Sequence, residues 1–287
     1  MGSGSWTKAS YSAYNTSAGK SYDVSTNRVV NQVFTQRKMD DSLNPRLFSI
    51  RECVDSDEHP NTIPIILALD VTGSMGRSCK ETAEALGVIM ESLYEKHKDI
   101  EFCVMGIGDL AYDSAPIQMS QFESDVRIAE ALDKIYMEHG GGGNSYESYT
   151  AAWWMGLNRT SLDRINKQGK KGIIITMGDE PLNPYLPVNE LNDAVNGKVQ
   201  SDINTNALYE EASNKFDIFH IAIDDDGNCY RDYKDRIQSS FGQILGQRLV
   251  VSTIDNLAKT ITECIDNALG SGYGQTNMVN ENWEISW

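Results

Sequence analysis

The clearest signal along the chain is the apolar run Ile63-Pro-Ile-Ile-Leu-Ala-Leu69, which stops at Asp70. A strand with one wet face alternates apolar and polar residues, so an unbroken run of this length predicts a strand covered on both faces. From near Ser78 the period changes, and Thr82, Leu86, Ile89 and Leu93 fall on one side of a predicted helix. Glu101–Gly108 reads as a second strand, and the weak alternation of Ile117–Phe122 as an antiparallel edge strand or its connection. Val126, Ala129, Leu132 and Ile135 recur at helical spacing, and Gly140–Gly143 should stop that helix. A further helix is expected from near Ser145 through Ala152, Trp153 and Leu157. Gly172–Thr176, Phe216–Ile223 and Leu249–Ser252 are short apolar strands, with helical pieces around Glu190 and Leu208. A closing helix uses Leu257, Ile261, Ile265 and Ala268, with Asp255 placed to cap it.

Strands alternating with helices over some two hundred residues predict an α/β fold: a Rossmann-like, open, mostly parallel sheet flanked by helices on both faces. In such sheets ligands sit beyond the carboxyl ends of the strands, where strand order switches direction. The pattern divides the chain into an extended N-terminal arm and lead-in (1–61), a main domain (62–269) and a C-terminal tail (270–287). Residues up to about Asn27 are rich in Ser, Tyr, Gly and Lys and show no periodicity, so they read as an arm, flexible or laid along the domain. Val29, Val30, Val33 and Phe34 can bury something, and the tail carries Trp283 and Trp287, which suit docking on the chain's own surface or on a neighbour.

Composition narrows the function. The 41 acidic residues against 25 Lys and Arg give a net charge of −16, and no basic stripe interleaves with aromatics. Such a surface repels phosphate backbones, so nucleic acid is not an expected partner. No apolar run approaches the ~20 residues that span a bilayer, and the N-terminal stretch lacks the apolar core of a signal peptide. Membrane association is not expected. The scattered cysteines Cys53, Cys79, Cys103, Cys229 and Cys264 form no C-x-x-C pair, which suits reduced thiols and a cytoplasmic protein.

The candidate chemistry lies in Asp70-Val-Thr-Gly-Ser-Met75. Asp70, Thr72 and Ser74 alternate in a loop leaving a strand, so one carboxylate and two hydroxyls can aim at a single point. Hard oxygen donors of this kind suit Mg²⁺ or Mn²⁺, with water completing the shell. Taken alone, the same residues also fit a strand-to-helix turn in which Asp or Ser caps the helix.

This stretch resembles the metal-ion-dependent adhesion site of von Willebrand factor A-like (vWA) domains, whose first signature is D-x-[ST]-x-S, in the form found in bacterial or phage-type members. The resemblance spans about Ile63–Leu269 and implies two later loops. The second is matched by His139-Gly-Gly-Gly-Gly-Asn-Ser-Tyr-Glu147, with Glu147 as the favoured ligand and Asn144 as the alternative. The third is matched by Ile173-Ile-Ile-Thr-Met-Gly-Asp179, with Asp179 favoured over its neighbour Glu180. It further implies a bound Mg²⁺ or Mn²⁺, with Ca²⁺ as another candidate, and a protein partner whose Asp or Glu completes the metal's shell. The implied function is a metal-dependent protein-binding module, a scaffold or assembly factor. The alternatives are a structural subunit of a larger particle and, further behind, a metal-assisted hydrolase, for which no general base stands out.

Other chemistries fit less well. Gly73–Lys80 lacks the Gly-Lys pair of a phosphate-binding loop. Thr72 stands where a haloacid dehalogenase-type phosphatase needs a second Asp. Asp224-Asp-Asp-Gly-Asn228 lacks the Glu of an EF-hand and reads as a solvated turn. The histidines show no ligand spacing, and His220, inside an apolar strand, reads as a core residue.

Overall fold

The computed structural model describes residues 4–31, 34–138 and 146–270. The N-terminal arm lies along the domain. Helix α1 (Lys8–Ser17) is capped by Thr7, whose hydroxyl accepts from Ser10 N at 3.0 Å, and leads into an antiparallel hairpin of β1 (Ser21–Asp23) and β2 (Arg28–Val30). Trp6, Tyr11 and Val29 are buried in one cluster with Ile65 and Leu67 of the main sheet. Lys20 and Tyr14 both hold Asp133, which fixes the arm to a later helix.

The apolar run forms β4 (Ile63–Asp70), after the short β3 (Arg51–Cys53). The helix expected after it is two helices, α2 (Gly76–Glu84) and α3 (Leu86–Lys96), because Ala85 adopts ψ −1° and tightens the turn between them. There follow β5 (Ile100–Ile107), β6 (Ile117–Met119), α4 (Arg127–Asp133) and α5 (Thr150–Asn158). β7 (Thr160–Leu162) pairs with β3, and α6 (Asp163–Gln168) leads to β8 (Gly172–Gly178). The connection from β8 contains β9 (Tyr185–Leu186), α7 (Val188–Val195), β10 (Ile203–Asn204) and α8 (Thr205–Ala212). The chain then forms β11 (Phe216–Asp224), α9 (Tyr230–Leu245), β12 (Leu249–Thr253) and α10 (Leu257–Ala268).

The central sheet has six strands in the order β12-β11-β8-β4-β5-β6, all parallel except β6 at the edge. From β4 the chain builds outward through β5 and β6, then returns to the other side of β4 for β8, β11 and β12. The order therefore switches between β4 and β8, and their carboxyl ends are where a ligand site belongs. Alternate residues of β4 enter different cores, as the two-residue period of a strand requires. Ile65, Leu67 and Leu69 pack with Cys79, Ile89 and Ile261, whereas Ile66 and Ala68 pack with Trp153 and Phe241. Among the described residues no helix is long and apolar enough to cross a membrane.

Other expectations change as well: α4 ends at Asp133, before the glycines expected to stop it. The helix placed from near Ser145 begins at Thr150, since Glu147 instead makes a parallel bridge to Leu182. Asp255 does not cap α10; it lies in a 3-10 turn, and the N-cap position is Asn256, which makes no capping bond and donates instead to Thr253. α9, 16 residues long, has no counterpart in the hydropathy reading. Val33, His139, Gly140–Gly143, Asn144, Trp283 and Trp287 lie outside the described residues.

Candidate metal centre

The site is assembled from the strand ends flanking the switch point. β4 delivers Asp70 fully buried, and the next residues curl at once: Thr72 opens a 3-10 turn (Gly73–Met75) that runs straight into α2. Asp70 Oδ1 accepts from Thr72 N at 3.0 Å and from Thr72 Oγ1 at 2.6 Å. Asp70 thus forms the turn that its side chain favours. It also does more, because its second oxygen, Oδ2, accepts from the hydroxyl of Tyr149 at 2.7 Å.

The third loop arrives from β8. Asp179, also buried, accepts from Ser74 Oγ at 3.2 Å on Oδ1 and from Cys229 N at 2.8 Å on Oδ2. Cys229 is the N-cap residue of α9, so the positive end of that helix faces the Asp179 carboxylate. The second loop contributes Glu147, held to the third loop by its bridge to Leu182. Glu147 is 3 % exposed, and its Oε2 has no hydrogen-bond partner among the described residues. The same is true of Asp109 Oδ2 and Glu180 Oε2.

The electrostatics agree with this crowding. Burial, then the neighbouring Asp179, raises the pKa of Asp70; burial, then Asp70 and Glu180, raises that of Glu147. Burial raises that of Asp179 against the opposing pull of the Cys229 N–H and Ser74. Glu180 is pushed up to about 7 by burial and Asp179, and Asp113 to about 6 by burial. Arg236 offsets part of this at Glu180, but desolvated carboxylates with orphaned oxygens still cost free energy as they stand.

Of the six residues expected from sequence, Thr72 is joined to Asp70 and Ser74 to Asp179 by hydrogen bonds, and Glu147 lies near enough to Asp70 for their charges to interact. The sixth, Asn144, lies outside the described residues. Their chemistry fits a hard divalent cation. The hydroxyl protons of Thr72 and Ser74 both point at carboxylates, which leaves oxygen lone pairs to face an ion, and Glu147 carries an unused buried oxygen. Among the described residues no three His, Cys, Asp or Glu side chains are grouped so as to hold a metal ion.

Three participants were not expected from the pattern. Tyr149, two residues past Glu147, bridges the loops through one hydroxyl: it donates to Asp70 and accepts from Glu180 N at 3.3 Å. Gly178, the last residue of β8, makes room for it, since a Cβ there would lie 2.0 Å from the Tyr149 hydroxyl. The amino end of α9 is the third. His220, read as a core residue, lies beneath: it is fully buried, stacks on Phe241 at 3.7 Å and pairs Nδ1 with Thr176 Oγ1 at 2.9 Å. The Asp224–Asn228 turn is an ion-paired surface, with Arg231 on Asp224 and Asp226, and Arg77 on Asp225.

No family model and no curated protein matches the chain. Among solved structures it is similar to the pilus adhesin SpaC from Lactobacillus rhamnosus GG in its open conformation, with 13 % identity and a TM-score of 0.46, over 73 % of this chain and 30 % of that one. It is also similar to the vWF domain of the type V pili tip protein Mfa5 from Porphyromonas gingivalis, with 11 % identity and a TM-score of 0.44, over 75 % of this chain and 98 % of that one. The chain thus spans less than a third of the SpaC chain it resembles.

Proposed function

We propose that this chain is a vWA-like protein-binding module, its sheet covered by helices on both faces, working as a scaffold or assembly factor through a divalent cation held by Thr72, Ser74, Asp70, Glu147 and Asp179. The observation that carries the reading is the pairing of each hydroxyl with its own carboxylate at the switch point, Thr72 on Asp70 and Ser74 on Asp179, beside the orphaned oxygen of Glu147. A bound Mg²⁺ or Mn²⁺, or Ca²⁺, would supply an open coordination position for a partner's Asp or Glu.

Each residue has a distinct task. Asp70 and Asp179 accept hydrogen bonds from the Thr72 and Ser74 hydroxyls and so orient the hydroxyl oxygens. Tyr149 holds Asp70 from behind, and the amino end of α9 holds Asp179. Glu147 is the carboxylate left free to meet the ion, with Asn144 as a further candidate. An acidic face of this kind rejects a partner's carboxylate unless positive charge stands between them. The free thiols, Cys79 beside the site included, support a reducing, cytoplasmic setting.

Calorimetric titration of Mn²⁺ into chelator-stripped protein tests the reading against Asp70→Asn, which keeps the size of the buried side chain. Saturable binding near one equivalent, weakened about tenfold or more in the variant, is expected, in line with losses at altered metal sites. Equal heats from both proteins would leave Asp70 as a turn-former and nothing else.

A further inference from the structure

Among the described residues the exposed aromatic side chains are Tyr112, Tyr146 and Tyr185, at 59 %, 36 % and 48 % exposure. All three stand on segments that form the candidate site. Tyr112 lies in the turn after β5, its N–H donating to Asp109 O at 3.2 Å, and that turn is tied to the second loop by Leu110 N on Ser148 Oγ at 3.0 Å. Tyr146 directly precedes Glu147 and has the Arg236 guanidinium over its ring at 4.8 Å. Tyr185 follows the third loop, and its carbonyl accepts from Asn183, which also holds Thr150 at the start of α5. Tyrosine offers a large contact surface at low entropic cost and is enriched where proteins meet.

Charge on the same segments is one-sided. Residues 108–116, 146–149 and 178–187 carry Asp109, Asp113, Glu147, Asp179 and Glu180, and neither Lys nor Arg. Asp109, Glu147 and Asp179 are buried, so an incoming segment meets the aromatic faces together with the half-buried Asp113 and Glu180, a combination that attracts ammonium and guanidinium groups through both Coulomb and cation–π terms. One of the three rings, that of Tyr146, already accepts a cation within the chain itself, Arg236.

We infer that this face docks a partner segment in which one Asp or Glu is flanked by Lys or Arg, the basic side chains lying on Tyr112 and Tyr185 while the acidic one reaches the cation site. The inference rests on the proposed metal-dependent reading and adds the partner's chemistry to it.

The probes are three synthetic peptides with one central Asp flanked by Lys, by Ser or by Glu on both sides, titrated into Mn²⁺-loaded protein. The Lys-flanked peptide should bind about tenfold tighter than the Ser-flanked one, and the Glu-flanked peptide weakest, as expected of two exposed cation–π contacts. Tyr112→Ala with Tyr185→Ala should remove most of that preference, and Tyr112→Phe with Tyr185→Phe should keep it. Both rings are exposed, so these variants fold. A preference for lysine that survives the double alanine variant would overturn the docking role of the tyrosines, as would equal binding of the Lys- and Ser-flanked peptides. Either result with Mn²⁺ binding intact refutes this inference alone. Loss of Mn²⁺ binding from the native protein refutes the metal-dependent reading and this inference with it.

Discussion

A single hydroxyl, that of Tyr149, touches all three site loops: it sits on the second, donates to Asp70 of the first and accepts from the backbone of the third. Its position depends on Gly178, where a Cβ would fall 2.0 Å away. Gly178→Ala should therefore push Tyr149 out of place, costing roughly 1–3 kcal/mol as an overpacked core does. Urea unfolding checks this; an unchanged midpoint would mean the ring can shift freely. His220 makes a second prediction. Burial lowers its pKa to about 3 from an ordinary 6.5, so the folded chain keeps it neutral where the unfolded chain is protonated. Its contribution to stability is whole above pH 6.5 and lost as pH falls toward 3, at up to about 1.4 kcal/mol per pH unit. His220→Phe, which preserves the stack on Phe241, should flatten the profile, gaining roughly 2 kcal/mol on the native chain between pH 7 and 4.5. Parallel profiles would contradict it. At this scale the sequence showed the ligand candidates, because oxygen donors at alternate positions after a strand are a local pattern. Tyr149, Gly178 and Cys229 matter only through contacts between loops distant in sequence, and local pattern holds no record of those.

At the scale of elements, long apolar runs were legible and sparse helices were not. β4 and β5 read directly because both faces of each are covered, and a two-sided burial leaves no polar residue in the run. α9 escaped because its buried residues are Tyr230, Ile237, Phe241 and Leu245, a thin stripe among charged neighbours with Gly242 inside it. Yet this helix supplies the N–H that holds Asp179 and the ring that stacks on His220. α1 escaped for a related reason, its buried residues being Tyr11 and Asn15 rather than aliphatic ones. α5, which begins beside Tyr149, is closed at its other end by Lys215. The half-buried ammonium donates to Gly156 O at 3.0 Å, Leu157 O at 3.1 Å and Thr160 O at 2.7 Å, and burial pushes its pKa down to about 8. Lys215→Ala would strand those carbonyls and should cost roughly 2–3 kcal/mol. Chemical denaturation at pH 7 measures it, and a loss below a few tenths would show that water replaces the ammonium without penalty.

For the whole molecule, the fold is a device for bringing like charges together. A chain of net charge −16 would ordinarily spread its carboxylates over the surface, but strand ends at the switch point gather Asp70, Asp179, Glu147 and Glu180 into one desolvated place. Strand order is what the local pattern leaves undetermined, and it is what makes the first and third loops neighbours: β4 lies directly beside β8 in the sheet. The arm is part of the same unit, since Trp6 and Tyr11 complete the core that covers one side of β4. The proposed divalent cation would relieve such a concentration of buried carboxylates, and its position would be directly measurable. Anomalous diffraction from crystals grown with Mn²⁺ should show one peak about 2.1 Å from Thr72 Oγ1 and Ser74 Oγ, the octahedral distance for such an ion. A map without a peak at the ends of β4 and β8, with Asp70 still held by Thr72 and Tyr149, would contradict the metal-dependent account.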